Sequence, residues 1–229
     1  MTKIFLFAGP SLYEGDTVKY AISTIKLLPP VKRGDICEVI KWNSPSTMVI
    51  ADGVFHSVLS VGHAEIRNAL ELGWKVWGVS SMGAIRAAEM DTLGMNGFGE
   101  VYERFCSDED FSDDEVALLH APMEPYFPIS EPMINIRYFI FNLLKEKKIN
   151  SQASELILNS LKNRWFGERT LELTQVLLST YGKITNEEAI ATLKDFKRFR
   201  IKTKDLDNLM QRLLSDESLS TEHEYSSSN

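Results

Sequence analysis

The stretch Trp74-Lys75-Val76-Trp77-Gly78-Val79-Ser80-Ser81-Met82-Gly83-Ala84-Ile85-Arg86-Ala87-Ala88-Glu89 sets the architecture of the chain. A short apolar strand, Lys75 to Val79, runs into small residues and then into a helix. Ser81 sits at the turn and Gly83 two places on, the layout of a nucleophile elbow, in which a sharp strand-to-helix turn exposes a hydroxyl. The same layout makes an anion site, because a helix N-terminus offers N–H groups without intrahelical acceptors and the positive end of its dipole. Both readings put chemistry at the C-terminal end of a strand. A serine there also serves as a plain N-cap. The full Gly-x-Ser-x-Gly pattern fails around Ser81, because Val79 holds the first glycine position.

On the N-terminal side, Lys3 to Ala8 is a strand broken by Gly9-Pro10-Ser11. Asp16 to Leu28 has helical spacing and stops at Pro29-Pro30. Ile36 to Trp42 and Thr47 to Asp52 supply the second and third strands. Val61 to Leu72 is a helix ended by Gly73, Val76 to Val79 the fourth strand, and Ala84 to Met90 the next helix. This alternation predicts an α/β fold: a mainly parallel sheet with flanking helices, followed by a helical C-terminal region. Ligands of such sheets lie beyond the strand C-termini. Three strand ends carry unusual residues, namely Gly9-Pro10-Ser11, Asp52-Gly53 and Gly78 to Gly83, and are expected to converge on one crevice.

On the C-terminal side, Ser130 is expected to cap a helix with Pro132 in its first turn, running through Met133, Ile136, Phe139, Ile140, Leu143 and Leu144. Helices are expected over Ser151–Arg164, Glu168–Thr180, Thr185–Phe196 and Thr203–Leu214, with Thr185 and Glu188 as a capping box. We therefore divide the chain into an α/β core domain over residues 1–140, a helical region over 141–215, and a polar, Ser-rich tail over 216–229 expected to be disordered.

A net charge of -7 over 229 residues argues against a general nucleic-acid binder. Two cysteines, Cys37 and Cys106, leave no disulfide framework. The apolar run at residues 4–8 is strand length, too short for a membrane span, and no export signal precedes it, so a cytoplasmic protein without membrane anchor is expected. The acidic run Asp108 to Glu115 lacks the ordered spacing and glycine of an EF-hand and is expected to be a solvated loop. Zinc spacing of Cys and His is missing, as is a phosphate loop, so neither metal nor cofactor is expected.

The remaining candidates surround Ser81. His63 opens the helix after the third strand and is a candidate general base, since imidazole titrates near neutral pH. Asp52 and Glu65 are candidate carboxylates to orient it, although Asp52-Gly53 equally suits a turn. Arg86 and Glu89 lie three apart on one helical face, spacing that favours an ion pair. Arg86 could instead bind an anion together with the helix end. Ser11 at the first strand end and His120, after Val116 to Leu119, are further candidates to line the crevice.

Several segments in order resemble TfuA-like proteins, the partners of YcaO enzymes in peptide-backbone thioamidation. They are Gly9-Pro10-Ser11, Pro29-Pro30 with Arg33-Gly34-Asp35, Asp52-Gly53-Val54-Phe55, His63 with Glu65-Ile66, and Ser80-Ser81-Met82-Gly83-Ala84-Ile85-Arg86-Ala87-Ala88-Glu89, of which the run from Ser81 is the most specific. Gly94-Met95, Gly97, Gly99-Glu100, Asp113 to Ala117, His120 and Ser130 to Arg137 complete the resemblance, which spans about residues 3–140. It implies a sulfur-delivery role: release of sulfide from a thiocarboxylated ThiS-like sulfur carrier, for a YcaO enzyme that modifies a ribosomally made peptide or a protein. Under that resemblance Ser81 is the nucleophile or a substrate ligand. Met82 and Gly83 offer oxyanion N–H groups, His63 is base and then acid, and Asp52 or Glu65 orients it. Arg86 attracts the thiocarboxylate, and Ser11, Glu89 and His120 contribute to substrate binding. The alternative is a non-catalytic adaptor that binds or activates the YcaO enzyme and its substrate, a role suited by the basic run Lys194 to Lys204.

Overall fold

The computed structural model describes residues 3–12, 19–55 and 58–226. Five strands form one all-parallel sheet: β1 (Ile4–Phe7), β2 (Ile25–Leu28), β3 (Thr47–Ile50), β4 (Lys75–Gly78) and the two-residue β5 (Asn96–Gly97), in the spatial order β2-β1-β3-β4-β5. Helices α1 (Asp35–Trp42), α2 (His63–Glu71), α3 (Met82–Met90) and α4 (Glu100–Ser107) alternate with the later strands. A helical series follows: α5 (Met133–Lys145), α6 (Ser151–Lys162), α7 (Leu171–Tyr181), α8 (Asn186–Leu193) and α9 (Ile201–Ser226). The expected α/β class with a helical C-terminal region is what the chain adopts. No helix among the described residues is long and apolar enough to cross a membrane.

The chain forms two compact units. Residues 1–109 and 202–229 make the first, residues 110–201 the second. In the first, side chains alternate across the pleat. Phe5, Phe7, Met48, Ile50 and Val76 meet Ile36 and Val39 of α1, Ile66 and Ala69 of α2, and Met82, Ala87 and Met90 of α3. Ile4, Leu6, Val49, Ala51 and Val79 meet Leu206, Leu209 and Met210, the i, i+3, i+4 stripe of α9. Both faces are thus covered, as a parallel sheet requires, and each fully buried aliphatic side chain contributes about 1.5–3 kcal/mol.

The second unit has its own core, built by Ile136, Phe139, Ile140 and Leu143 of α5, Ile157 and Leu161 of α6, and Leu177 and Leu178 of α7. The capping box of α8 is formed as expected: Glu188 N–H donates to Thr185 Oγ1 at 3.2 Å, and Thr185 N–H to Glu188 Oε2 at 2.8 Å. Ser130 does not cap α5, whose N-cap is Pro132. Its hydroxyl oxygen instead accepts the Leu119 N–H at 2.9 Å. The acidic run is no free loop either. Glu115, 4% exposed, binds Arg137 and Lys162, and Asp114 binds Lys162 and the buried Arg169.

Two segments take the other regular structure. Ile36 to Trp42 is helical, not a strand. Ile36 and Val39 are buried three apart while Glu38 and Lys41 lie at the first and last turns, a helical period that its β-branched composition obscures. Part of the expected helix Asp16 to Leu28 lies outside the described residues, and Ile25–Leu28 within it is β2, paired in parallel with β1 from Ile4↔Ile25 to Phe7↔Leu28. Four residues ended by Pro29-Pro30 are too few to fix a period. The polar segment beginning at residue 216 is helical in backbone as far as Ser226.

Candidate functional site

The strand order reverses between β1 and β3, the topological switch point at which parallel sheets of this order bind ligands. Asp52 stands there, two residues beyond β3 and 1% exposed. Its Oδ2 accepts the N–H groups of Gly9 at 2.9 Å and Ser11 at 2.8 Å, and its Oδ1 accepts the Ser11 hydroxyl at 2.7 Å. These three donors replace the water that a buried carboxylate loses. The Lys202 ammonium, carried by the first turn of α9 and 3% exposed, lies 3.8 Å from Asp52 Oδ1. The ends of β1 and β3 and the start of α9 therefore meet at one carboxylate.

The β4 end joins the same cluster. Ser80 has φ 66°, the left-handed region that a residue with a side chain enters at a cost. Its hydroxyl donates to the Lys202 carbonyl at 2.7 Å. Ser81 N–H donates to the carbonyls of Ala51 at 3.2 Å and Val79 at 2.8 Å, which draws the turn against the end of β3. The turn is tight because two glycines permit it. A Cβ on Gly78 would stand 2.0 Å from the Gly83 carbonyl oxygen, and one on Gly83 would stand 1.7 Å from the Ile50 carbonyl oxygen. Ser81 is the N-cap of α3 by position, with no side-chain cap bond, and is 1% exposed. Gly83 N–H, expected as an oxyanion donor, goes to the Ala51 carbonyl at 3.4 Å. Met82, first in α3, has an N–H with no intrahelical acceptor by position.

His63 belongs to a second grouping, at the surface. Its Nε2 lies 2.8 Å from Glu89 Oε2, the same oxygen that accepts Arg86 Nη1 at 2.6 Å, while Arg86 Nε donates to the Val61 carbonyl at 3.0 Å. The His63 and Glu89 side chains are 53% and 43% exposed. Glu65 caps backbone, its Oε1 accepting Gly62 N–H at 3.1 Å and its Oε2 accepting Gly34 N–H at 2.8 Å. The carboxylate that meets His63 is thus Glu89, while Asp52 meets Gly9, Ser11 and Lys202. The three-residue spacing of Arg86 and Glu89 makes the ion pair it suggested and extends it to His63. His120 lies in the second unit, where its Nδ1 is 2.7 Å from the Ala121 carbonyl and its ring is edge-on to Tyr126.

Two residues of the switch-point cluster escape the sequence reading. Ser80 had a signal: Gly78 stands two places before it, so the first half of the elbow pattern that fails around Ser81 is met around Ser80. Lys202 had none, being 150 residues from Asp52 in a basic run that resembles any solvated helix face.

Comparison with curated proteins finds no match. The sequence profile described as TfuA-like protein matches residues 52–170, which include Asp52, the Ser80-Ser81 turn and the His63–Glu89–Arg86 grouping, and more than half of the chain. The chain belongs to the TfuA-like family.

Proposed function

We propose that the protein is a sulfur-delivery hydrolase. It takes a ThiS-like carrier protein ending in a thiocarboxylate and releases sulfide, which a YcaO enzyme uses to convert a backbone amide of a peptide or protein into a thioamide. The observation that supports this reading most is the Ser80-Ser81 elbow beside the Asp52–Lys202 pair at the sheet's switch point, in a member of the TfuA-like family.

A thiocarboxylate is an anion and hence a poor electrophile, so the site must neutralise it before its carbon can be attacked. The N-terminus of α3 offers positive dipole and the Met82 N–H to the developing oxyanion. In the net reaction a C–O bond forms from water and the C–S bond breaks. Both protons of that water leave with the sulfur as hydrogen sulfide, and the carrier keeps a carboxylate. Ser81 holds the reacting carbonyl at the helix end or attacks it first. His63, held by Glu89, carries the proton.

The test is sulfide release from a carrier thiocarboxylate without the YcaO partner. Release supports the hydrolase, whereas none, with intact binding of the YcaO enzyme, identifies an adaptor. Ser81→Ala is expected to slow release by about a hundredfold or more. An unchanged rate in that variant removes Ser81 from the chemistry.

A further inference from the structure

We infer that the second unit carries a docking surface, a patch of exposed cations formed by Lys145, Lys147, Lys148, Lys194, Lys197 and Arg198, and that its occupant is a carboxylate-rich face of the enzyme that takes up the sulfide. The inference rests on the partnership proposed above and adds to it a surface that shares no residue with the crevice.

Lys145 ends α5 and Lys147 and Lys148 follow it, while Lys194, Lys197 and Arg198 lie in and around the short helical turn Phe196–Phe199. The aromatic core of the unit brings the two segments together, because Phe139 of α5 packs on Phe196 and Phe199 at ring separations of 5.2 and 5.4 Å. The Arg198 guanidinium, 4.7 Å from the Phe199 ring centroid, reaches Glu146 at 3.9 Å and Asp195 at 3.3 Å, and Lys148 reaches Glu146 at 2.8 Å. Residues 145–148 and 194–198 hold no other carboxylate against their six cations. Among the described residues, Lys145, Lys147, Lys194 and Lys197 have no ion-pair partner. On a chain of net charge -7 such a surplus is a local exception, and its like charges repel until opposite charge covers them. The rest of the basic run does not share in it, because Arg200 and Lys202 are buried. What separates the patch from an ordinary solvated face is Phe141, 64% exposed and one turn before Lys145 on α5. An exposed aromatic beside cations suits a protein interface, where aromatic side chains anchor and charges set encounter rate and register. A nucleic acid suits it less, because its phosphates would meet Glu146 and Asp195 inside the patch and a chain of negative net charge around it. The reactive terminus of the carrier has to enter the crevice of the first unit, so the partner left for the second unit is the sulfide-using enzyme.

The experiment measures binding of the purified YcaO enzyme to the full chain by titration calorimetry, with a thiocarboxylate carrier and a single-stranded oligonucleotide as separate probes. Wild type is expected to bind the enzyme about tenfold or more weakly when salt rises from about 50 to about 300 mM. Lys145→Glu combined with Lys197→Glu, one reversal in each segment, is expected to lose about tenfold or more in affinity for the enzyme. The same double variant should release sulfide and bind the carrier as wild type does. Lys41→Glu, a reversal on α1 of the first unit, should leave binding of the enzyme unchanged. Wild-type affinity in a folded double variant overturns the inference, as does an equal loss in Lys41→Glu. Loss of the carrier or of the oligonucleotide in place of the enzyme overturns it too, by naming another occupant. So does failure of wild type to bind the enzyme. Should the double variant not fold, the salt titration of wild type decides, and an affinity independent of salt refutes the patch. Patch-dependent binding without sulfide release sinks the hydrolase reading and leaves the inference standing.

Discussion

At Gly83 one added methyl group would meet the Ile50 carbonyl oxygen at 1.7 Å, and backbone on both sides leaves little room to give. Gly83→Ala is expected to cost about 3 kcal/mol, by forcing α3 away from the β3 end. Urea unfolding of the variant measures this, and wild-type stability would mean that helix and strand can slide apart freely. The same closeness accounts for Ser80, whose left-handed backbone is tolerated because bonds from Ser80 and Ser81 hold the turn in place. What was legible at this scale was chemistry next to a glycine. The Gly83 position and the small residues of the turn announced a tight approach, but which serine takes the strained conformation depends on where the β3 carbonyls lie, and no local pattern carries that.

The elements show where local pattern is enough. α2, α3 and β4 fall where their periods and glycine stops put them, because those signals lie within each segment. α1 was misread because Ile36, Val39 and Ile40 favour strands by composition while their spacing is helical. α4 illustrates a different limit. Its N-cap is Gly99, which has no side chain, and the capping oxygen comes from Asp205 of α9, whose Oδ2 accepts Val101 N–H at 2.9 Å. Burial, opposed by the bonds to the Val101 and Glu100 backbone, raises the Asp205 carboxyl to about 6. The folded value is above the unfolded one, so the unfolded chain ionises first and stability falls as pH rises from about 4 to about 6. The loss is about 3 kcal/mol. Asp205→Asn keeps an acceptor for the cap and carries no charge. Urea titrations of both proteins between pH 4 and pH 7 are expected to show the fall in wild type and not in the variant. Parallel profiles would mean that Asp205 is solvated.

Over the whole molecule the two units respond to acid in opposite senses. In the second, burial works to raise the Glu115 carboxyl, but hydrogen bonds from Arg137 and Lys162 overcome it and hold the group below its usual 4.5. Its stabilisation is full above that value and is lost as pH falls through the lowered folded one. Glu115→Gln is expected to cost about 3 kcal/mol at pH 7, by removing the buried carboxylate that Arg137 and Lys162 share. It should also remove part of the acid sensitivity of the helical unit, readable as a shallower fall of Tm between pH 5 and pH 3. An unchanged Tm at neutral pH would show that Arg137 and Lys162 find other partners.

Legibility follows the same division by distance. The parallel sheet, the convergence of its strand ends and the helical second half could be read because the strand–helix alternation that implies them is written in residues a few places apart. The cover of the Ile4–Leu6 face and the cation beside Asp52 could not. Both come from α9, and contacts between Asp52 and Lys202 or Ser80 and Lys202 leave no mark in local composition.

That return of α9 has a bearing on synthesis. A growing chain leaves the ribosome from its N-terminal side, so β1 to β5 emerge while Lys202, Leu206, Leu209 and Met210 have still to be made. Until they appear, one side of the sheet offers bare apolar surface and the crevice carries Asp52 without its cation. A nascent chain at that stage leaves this face open to solvent, and the cover is complete only once translation has passed Leu206, Leu209 and Met210.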